Sequence, residues 1–214
     1  MKAESSDRLL FLNPAAAAGL VLLLWLGYTV LQTLFVFGAV SEGLSSLLAL
    51  LPGLLGAGAL LLSGVSRKDC FLVYKPLSRQ GFAVLAAVFV FALAAILPVS
   101  QWQGWSWKAA LLIAPASGIS QELFFRAALL PALKQIFPGQ PRKSLLLHAA
   151  LFGLWHIGPL FVGAPLWAVF AVMLVPFLSG IGWGWQVQRD GTVCWAMIQH
   201  SLIWVVGLQF SLMA

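Results

Sequence analysis

The chain has 214 residues, of which 61% are hydrophobic and only 8% charged, and its mean hydropathy is +0.97. A soluble domain carries about a quarter charged residues, so the composition excludes a water-soluble globular protein. The net charge of +6 comes from basic residues in short segments between apolar runs. This pattern indicates membrane topology and argues against a nucleic-acid partner.

Seven apolar runs follow one another along the chain, and each is long enough for a membrane-spanning helix. They lack the alternation of barrel strands, and a helix satisfies its own backbone polar groups in lipid. We therefore predict an all-α polytopic membrane protein with about seven transmembrane helices. Residues 1–13 are predicted to be a cytoplasmic tail and residues 14–214 a single transmembrane domain. The predicted runs are Pro14–Val40, Leu44–Val65, Gly81–Val99, Lys108–Leu133, Ser144–Leu160, Pro165–Trp185 and Thr192–Leu212.

The basic residues between the runs predict the orientation. With the N-terminus in the cytoplasm, ten Lys and Arg residues fall on the inner side and Lys108 alone on the outer side. Cytoplasmic loops carry an excess of Lys and Arg, so we predict a cytoplasmic N-terminus and an outer C-terminus. Trp102, Trp105 and Trp107 lie beside Lys108, as expected for an aromatic belt at the outer interface. The inner residues are Lys2, Arg8, Arg67, Lys68, Lys75, Arg79, Lys134, Arg142, Lys143 and Arg189.

Five ionisable residues remain inside the apolar runs, where such groups are costly and therefore candidates for function. Glu122 is the single acid, Arg126 the single base, and the others are His148, His156 and His200. At 1.5 Å per helical residue, the acid and the last two histidines lie at similar depths, about 12 to 18 Å from the inner side. The first histidine lies only about 6 Å deep, and we interpret it as interfacial.

The sequence leaves two alternatives for the chemistry of these residues. Glu122 and Arg126 have i,i+4 spacing, so mutual neutralisation competes with a catalytic role for the acid. A carboxylate with His156 and His200 fits a site for zinc or another divalent metal. It equally fits direct activation of water by a general base, with the second histidine polarising a carbonyl. Both readings describe hydrolysis of an amide in a protected cavity.

The run Gln121-Glu122-Leu-Phe-Phe-Arg126 resembles the first motif, Glu-Glu-x-x-x-Arg, of the CPBP family of CAAX and bacteriocin-processing intramembrane proteases. Phe152-Gly-Leu-Trp-His156 is similar to the second motif of that family, Phe-x-x-x-His. The resemblance spans about Ser117–Trp204, within a family-like core of about residues 105–212.

His200 stands where the histidine of the third motif would lie. The family usually has asparagine or another small polar residue four positions later, and this chain has Trp204. Gln121 likewise replaces the first glutamate, which is generally taken as the water-activating base. An amide can orient water but cannot accept a proton near neutral pH.

The resemblance implies a peptidase in a bacterial inner membrane that cuts a membrane protein or lipidated peptide near a membrane-embedded or C-terminal segment. In this hypothesis Glu122 and His156 activate water, Gln121 orients it and His200 stabilises the oxyanion. Arg126, Phe152 and Trp204 are supporting residues.

Alternatives remain open. Water activation could rest on His156 alone, with Gln121 only orienting the water. The chain could also be a catalytically impaired family member that acts as a membrane binding or immunity protein. A transporter is the least favoured alternative, because the two halves of the sequence carry no repeat.

Overall fold

Helices account for most of the structure, a computed structural model that describes residues 12–38 and 48–212. A helix lies within each of the seven predicted apolar runs, so the helical fold class is confirmed. The α-helices are α1 (Pro14–Val36), α2 (Leu50–Leu62), α3 (Arg79–Ile96), α4 (Ala114–Phe124), α5 (Leu130–Ile136), α6 (Pro141–Leu154), α7 (Gly158–Phe161), α8 (Leu166–Asp190) and α9 (Cys194–Gly207).

Several of these helices are long and apolar enough to cross a membrane. Among the described residues there are four such segments, namely Pro14–Val36, Arg79–Ile96, Pro141–Phe161 and Leu166–Asp190. The apolar helices α2 and α9 are shorter, with 13 and 14 residues. The chain is therefore membrane-embedded, while the count of seven spans and the cytoplasmic N-terminus stay predictions. Residues 1–11 of the predicted tail lie outside the described residues.

The helical segment that carries Glu122 runs through residues 109–136 but is not a uniform α-helix. Wider π-helical turns at Ala109–Ile113 and Phe125–Leu129 precede α4 and α5. In each case a proline, Pro115 or Pro131, follows two residues after the wide turn. A proline within a helix lacks an N–H and its ring clashes with the carbonyl four residues earlier. Each wide turn contains that carbonyl, so the prolines account for the two deviations.

Close helix crossings occur where a glycine faces a neighbouring helix. A β-carbon added to Gly118 in α4 would lie 2.5 Å from the hydroxyl oxygen of Ser201 in α9. One added to Gly53 in α2 would lie 2.9 Å from Cγ of Leu123. These contacts hold α2 and α9 against α4, in the way that small residues permit in membrane helices.

A short antiparallel pair of strands joins two parts of the chain that are distant in sequence. Strand β1 (Ser100–Trp102) pairs with β2 (Phe210–Leu212), with Gln101 opposite Ser211. The last predicted apolar run is therefore helical only as far as Gly207, and its end is a strand. The pairing places the end of α3 and the end of α9 on the same side of the bundle.

The opposite side of the bundle is held together by the segment between α2 and α3. The backbone N–H of Val193 donates to the carbonyl of Phe71, and the indole of Trp195 donates to the carbonyl of Lys75. Cys70 is buried in this segment, and burial together with the nearby charge of Asp69 raises the pKa of its thiol to about 11. Neither this cysteine nor the other in the chain forms a disulfide.

Replacement of Gly118 by alanine tests the closest of these crossings. The new methyl group would lie 2.6 Å from the backbone nitrogen of Ser201, so we expect a loss of about 1–3 kcal/mol of stability from overpacking. Gly58→Ala is the matched control, because nothing lies within 4 Å of its added β-carbon. Alanine favours a helix over glycine by about 1 kcal/mol, so the control should be neutral or stabilising. Thermal unfolding in detergent measures the stability of both variants. Equal changes in the two would contradict the close contact between α4 and α9 at Gly118.

Candidate active site

The Glu122 carboxylate lies at the centre of the candidate site and is fully buried. One oxygen, Oε1, accepts a hydrogen bond from Nδ1 of His200 at 2.7 Å. The same oxygen lies 3.0 Å from the Nη1 atom of Arg126, one helical turn further along the chain. A carboxylate in such a setting needs compensating charge and hydrogen bonds. The predicted pairing with the arginine is present, and it extends to a histidine from α9.

The Arg126 guanidinium lies against two aromatic rings. Its central carbon lies 4.4 Å from the ring centre of Phe152 and 5.0 Å from that of Trp183. These distances are within the range of cation–π attraction, which strengthens away from water. The two rings come from α6 and α8, so the arginine connects three helical segments.

The His200 ring has a fixed plane and a defined tautomer. It stacks on Trp183 with a centroid distance of 4.4 Å and an interplanar angle of 24°. Its Nε2 accepts a hydrogen bond from the indole of Trp204 at 3.2 Å. The proton therefore lies on Nδ1 and points at Glu122. Trp183 was missed by the sequence analysis, since a tryptophan in an apolar helix carries no signal of such contacts.

His156 lies in the turn that follows α6, and only one of its two ring nitrogens is hydrogen-bonded. Its Nδ1 donates to the carbonyl of Phe152 at 2.9 Å, which leaves the lone pair on Nε2. The indole of the preceding Trp155 donates to the carbonyl of Tyr28 at 3.1 Å and ties this turn to α1. The imidazole is thus oriented by the backbone, with its unprotonated nitrogen available to a ligand.

Gln121 and His156 share a cavity of about 200 Å³. Ser117, Ser120 and Trp204 also line it, whereas Glu122 and His200 are not among its lining residues. The amide oxygen of Gln121 is buried and has no hydrogen-bond partner among the described residues. Buried polar atoms normally have a partner, so this oxygen is suited to hold water or a polar group of a ligand in the cavity.

The opposite wall of the cavity belongs to α1. Tyr28, Leu31, Gln32 and Phe35 line it at the spacing i, i+3, i+4 and i+7, which is one face of a helix. No ionisable residue of α1 indicated this wall, and the sequence analysis missed it. Leu31, Phe35 and the ring of Tyr28 make this side of the cavity largely apolar, and Gln32 adds one amide to it.

The predicted metal set is not brought together in a form that fits an ion. In residues 12–38 and 48–212, no three His, Cys, Asp or Glu side chains are grouped closely enough to bind one. Both ring nitrogens of His200 are occupied by Glu122 and Trp204. We therefore derive no step through a metal.

His148 is covered by neighbouring helices, and its interfacial depth in the membrane stays a prediction. Its side chain is fully buried in α6, with its ring 6.4 Å from that of Phe125 and close to Gly184 of α8. Counting residues from the end of a helix gives depth along the axis, but it does not show that α8 covers this face.

A comparison with sequence models of protein families identifies the segment that carries this geometry. Residues 101–206, about half of the chain, match the family described as type II CAAX prenyl endopeptidase Rce1-like. This segment belongs to that family of membrane endopeptidases, and the resemblance to CPBP proteases is confirmed. No curated protein and no solved structure matches the chain.

Replacement of Arg126 by methionine tests the buried charge pair. The substitution keeps most of the side-chain volume but leaves the Glu122 carboxylate without its cationic partner, and we expect a loss of about 3–5 kcal/mol of stability. The double variant E122Q/R126M removes both charges and should recover part of that loss. Denaturant or thermal unfolding in detergent measures both, and a single variant as stable as the wild type would contradict the pairing.

Proposed function

We propose that the chain is a membrane-embedded peptidase that hydrolyses a peptide bond within or beside a membrane-inserted segment of a protein or peptide. The observation that carries this proposal is the convergence of His156 and Gln121 on one cavity with an apolar opposite wall. The family match supports hydrolysis of peptides as the reaction class.

In the proposed mechanism His156 is the general base. Its Nε2 lone pair takes a proton from water while the water oxygen attacks the carbonyl carbon of the substrate. The same proton then passes to the leaving nitrogen as the carbon–nitrogen bond breaks. The hydrogen bond from Nδ1 to the Phe152 carbonyl holds the ring in the tautomer that this step needs.

Gln121 orients the attacking water through its free amide oxygen, which accepts a hydrogen bond from that water. Glu122 is assigned a positioning role, because its bonded oxygen serves His200 and Arg126 outside the cavity. Among the hypotheses drawn from the sequence, the arrangement favours water activation by His156 over activation by Glu122.

Trp204 is the proposed donor to the oxyanion. It lines the cavity, and its indole N–H now donates to Nε2 of His200. A small movement of the indole would turn the N–H from the imidazole to the developing negative charge. Before that movement the hydrogen bond to His200 holds the indole N–H beside the cavity, and a donor to the oxyanion contributes much of the rate in acyl transfer.

One observation favours a second candidate, a catalytically impaired family member that binds membrane segments without cutting them. The first-motif position that faces the cavity is an amide, Gln121, and it cannot accept a proton. In this alternative the cavity binds a peptide segment, and no carboxylate lines it to assist His156.

Cleavage of membrane-anchored reporter peptides by the purified protein tests the peptidase. We expect His156→Ala to lower the cleavage rate at least about 100-fold, the usual contribution of a general base. His148→Ala is the matched control, because this histidine lies in the helix that leads to His156, is buried and is not among the cavity-lining residues. The rate per folded molecule should stay near that of the wild type in the control.

The same reporters separate the two candidates. Cleavage by the wild type that His156→Ala abolishes supports the peptidase. An inactive wild type, with cleavage appearing in Gln121→Glu, contradicts it and supports the binding protein.

The α1 wall predicts a change in substrate preference. Leu31 lines the cavity, whereas Leu34 on the same helix is 42% exposed on the surface. Leu31→Trp narrows the cavity and should reduce cleavage of reporters with a large apolar residue next to the cut bond by about 10-fold or more. Reporters with alanine there should be less affected, and Leu34→Trp should change neither. Equal effects of the two variants on kcat/KM would contradict the assignment of this wall.

A further inference from the structure

The two ends of the helical bundle differ sharply in charge. In the described part of the chain, the basic end carries Arg67, Lys68, Lys75, Arg79, Lys134, Arg142, Lys143 and Arg189. Contacts hold these segments together at one end: the Lys134 ammonium lies 5.2 Å from the ring of Phe71, and Gly191 contacts the side chain of Lys75. Lys108, in contrast, begins the helical segment at the opposite end.

The cavity lies toward the end that is poor in basic residues. Its lining comes from the last turns of α1 and α9 and from the start of the 109–136 segment, represented by Phe35, Leu208 and Ile113. The end of α6 contributes Trp155 and His156. All these helix ends lie opposite the ends that carry the basic residues. The β1–β2 pair joins the chain on this same side.

A packed core separates the cavity from the basic end. Phe125, Leu129, Leu130 and Phe152 have at most 1% of their surface exposed, and the Arg126 side chain between them is fully buried. Phe35 at the other end of the cavity is 39% exposed. Among the described residues, the cavity is thus closed toward the basic end and has exposed lining toward the end that is poor in basic residues.

We propose that this cavity opens to the non-cytoplasmic side of the membrane and accepts an uncharged segment of an exported, membrane-anchored polypeptide. Membrane proteins concentrate Lys and Arg on their cytoplasmic side, which makes the basic end the cytoplasmic one. No Asp, Glu, Lys or Arg of the described residues lines the cavity, so a neutral, largely apolar segment fits it. The direction of opening and the binding of the segment do not depend on the proposed peptidase function. Only the cleavage of the bound segment rests on it.

The chemistry of the walls suits an extended peptide. Gln32 faces the cavity from an otherwise apolar wall. An amide can both donate to and accept from a peptide group. Gln32 and Gln121 can hydrogen-bond the substrate backbone, while Leu31, Phe35 and Leu208 contact its apolar side chains.

Cysteine labelling in whole cells tests the direction of opening without any requirement for cleavage. In a background with Cys70→Ala and Cys194→Ala, single variants are made at three sites. Ser117→Cys reports the cavity wall and Lys143→Cys the basic end. Ile119→Cys is the matched control, because Ile119 lies two residues after Ser117 on the same helix, is 40% exposed on the outer surface of that helix and does not line the cavity. The probe is a sulfonated maleimide that does not cross membranes, and a host with a permeable outer membrane admits it to the cell surface.

We expect Ser117→Cys to react in intact cells and Lys143→Cys to react only after the cells are opened. Ile119→Cys should react at least about 10-fold more slowly than Ser117→Cys, because a thiol in lipid does not ionise readily. Reaction of the Lys143 variant in intact cells, with the Ser117 variant protected until lysis, would overturn the proposal. So would equal reaction rates for the Ser117 and Ile119 variants in intact cells.

Reporters anchored with the cleavable segment on either side of the membrane separate this proposal from the peptidase function. Cleavage restricted to reporters with an outer segment supports both. Cleavage restricted to inner segments overturns the direction of opening and leaves the peptidase intact. Labelling from outside without cleavage of any reporter upholds the direction and contradicts the peptidase.

Discussion

The burial of one carboxylate in a membrane protein determines how the rest of the site is arranged. Glu122 has no exposed surface, and a charge so placed is tolerated only with close partners. Its Oε1 atom contacts Arg126 on the same helical segment and His200 on α9. Phe152 from α6 and Trp183 from α8 then lie against the guanidinium. Four parts of the chain that are separated in sequence thus meet around a single negative charge.

The two departures from the family motifs lie in the same cavity. Gln121 and Trp204 both line it, one on the 109–136 segment and the other on α9. The amide offers an acceptor where the family has a base, and the indole offers a donor where the family has a small polar group. Together they leave the cavity without an acidic group and with His156 as its single imidazole among the described residues.

The sequence predicted the helices and the ionisable members of the site, because both depend on the cost of charge and backbone polarity in lipid. It could not predict which face of a helix meets which neighbour. For that reason the burial of His148 was not foreseen, and Trp183 and the α1 wall were missed. The π-helical turns left a readable signal in Pro115 and Pro131, which interrupt an otherwise continuous apolar run.

The wide turn at Phe125–Leu129 also fixes the spacing of the chain around the site. Such a turn holds one residue more than a regular helix would need over the same distance. A regular α-helix with the same number of residues there would rotate the preceding segment by about 100° relative to α5. Leu123 would then occupy the direction of Glu122, and an apolar side chain would face Arg126. Relatives that share this site should therefore either keep both the wide turn and its extra residue or lose the two together.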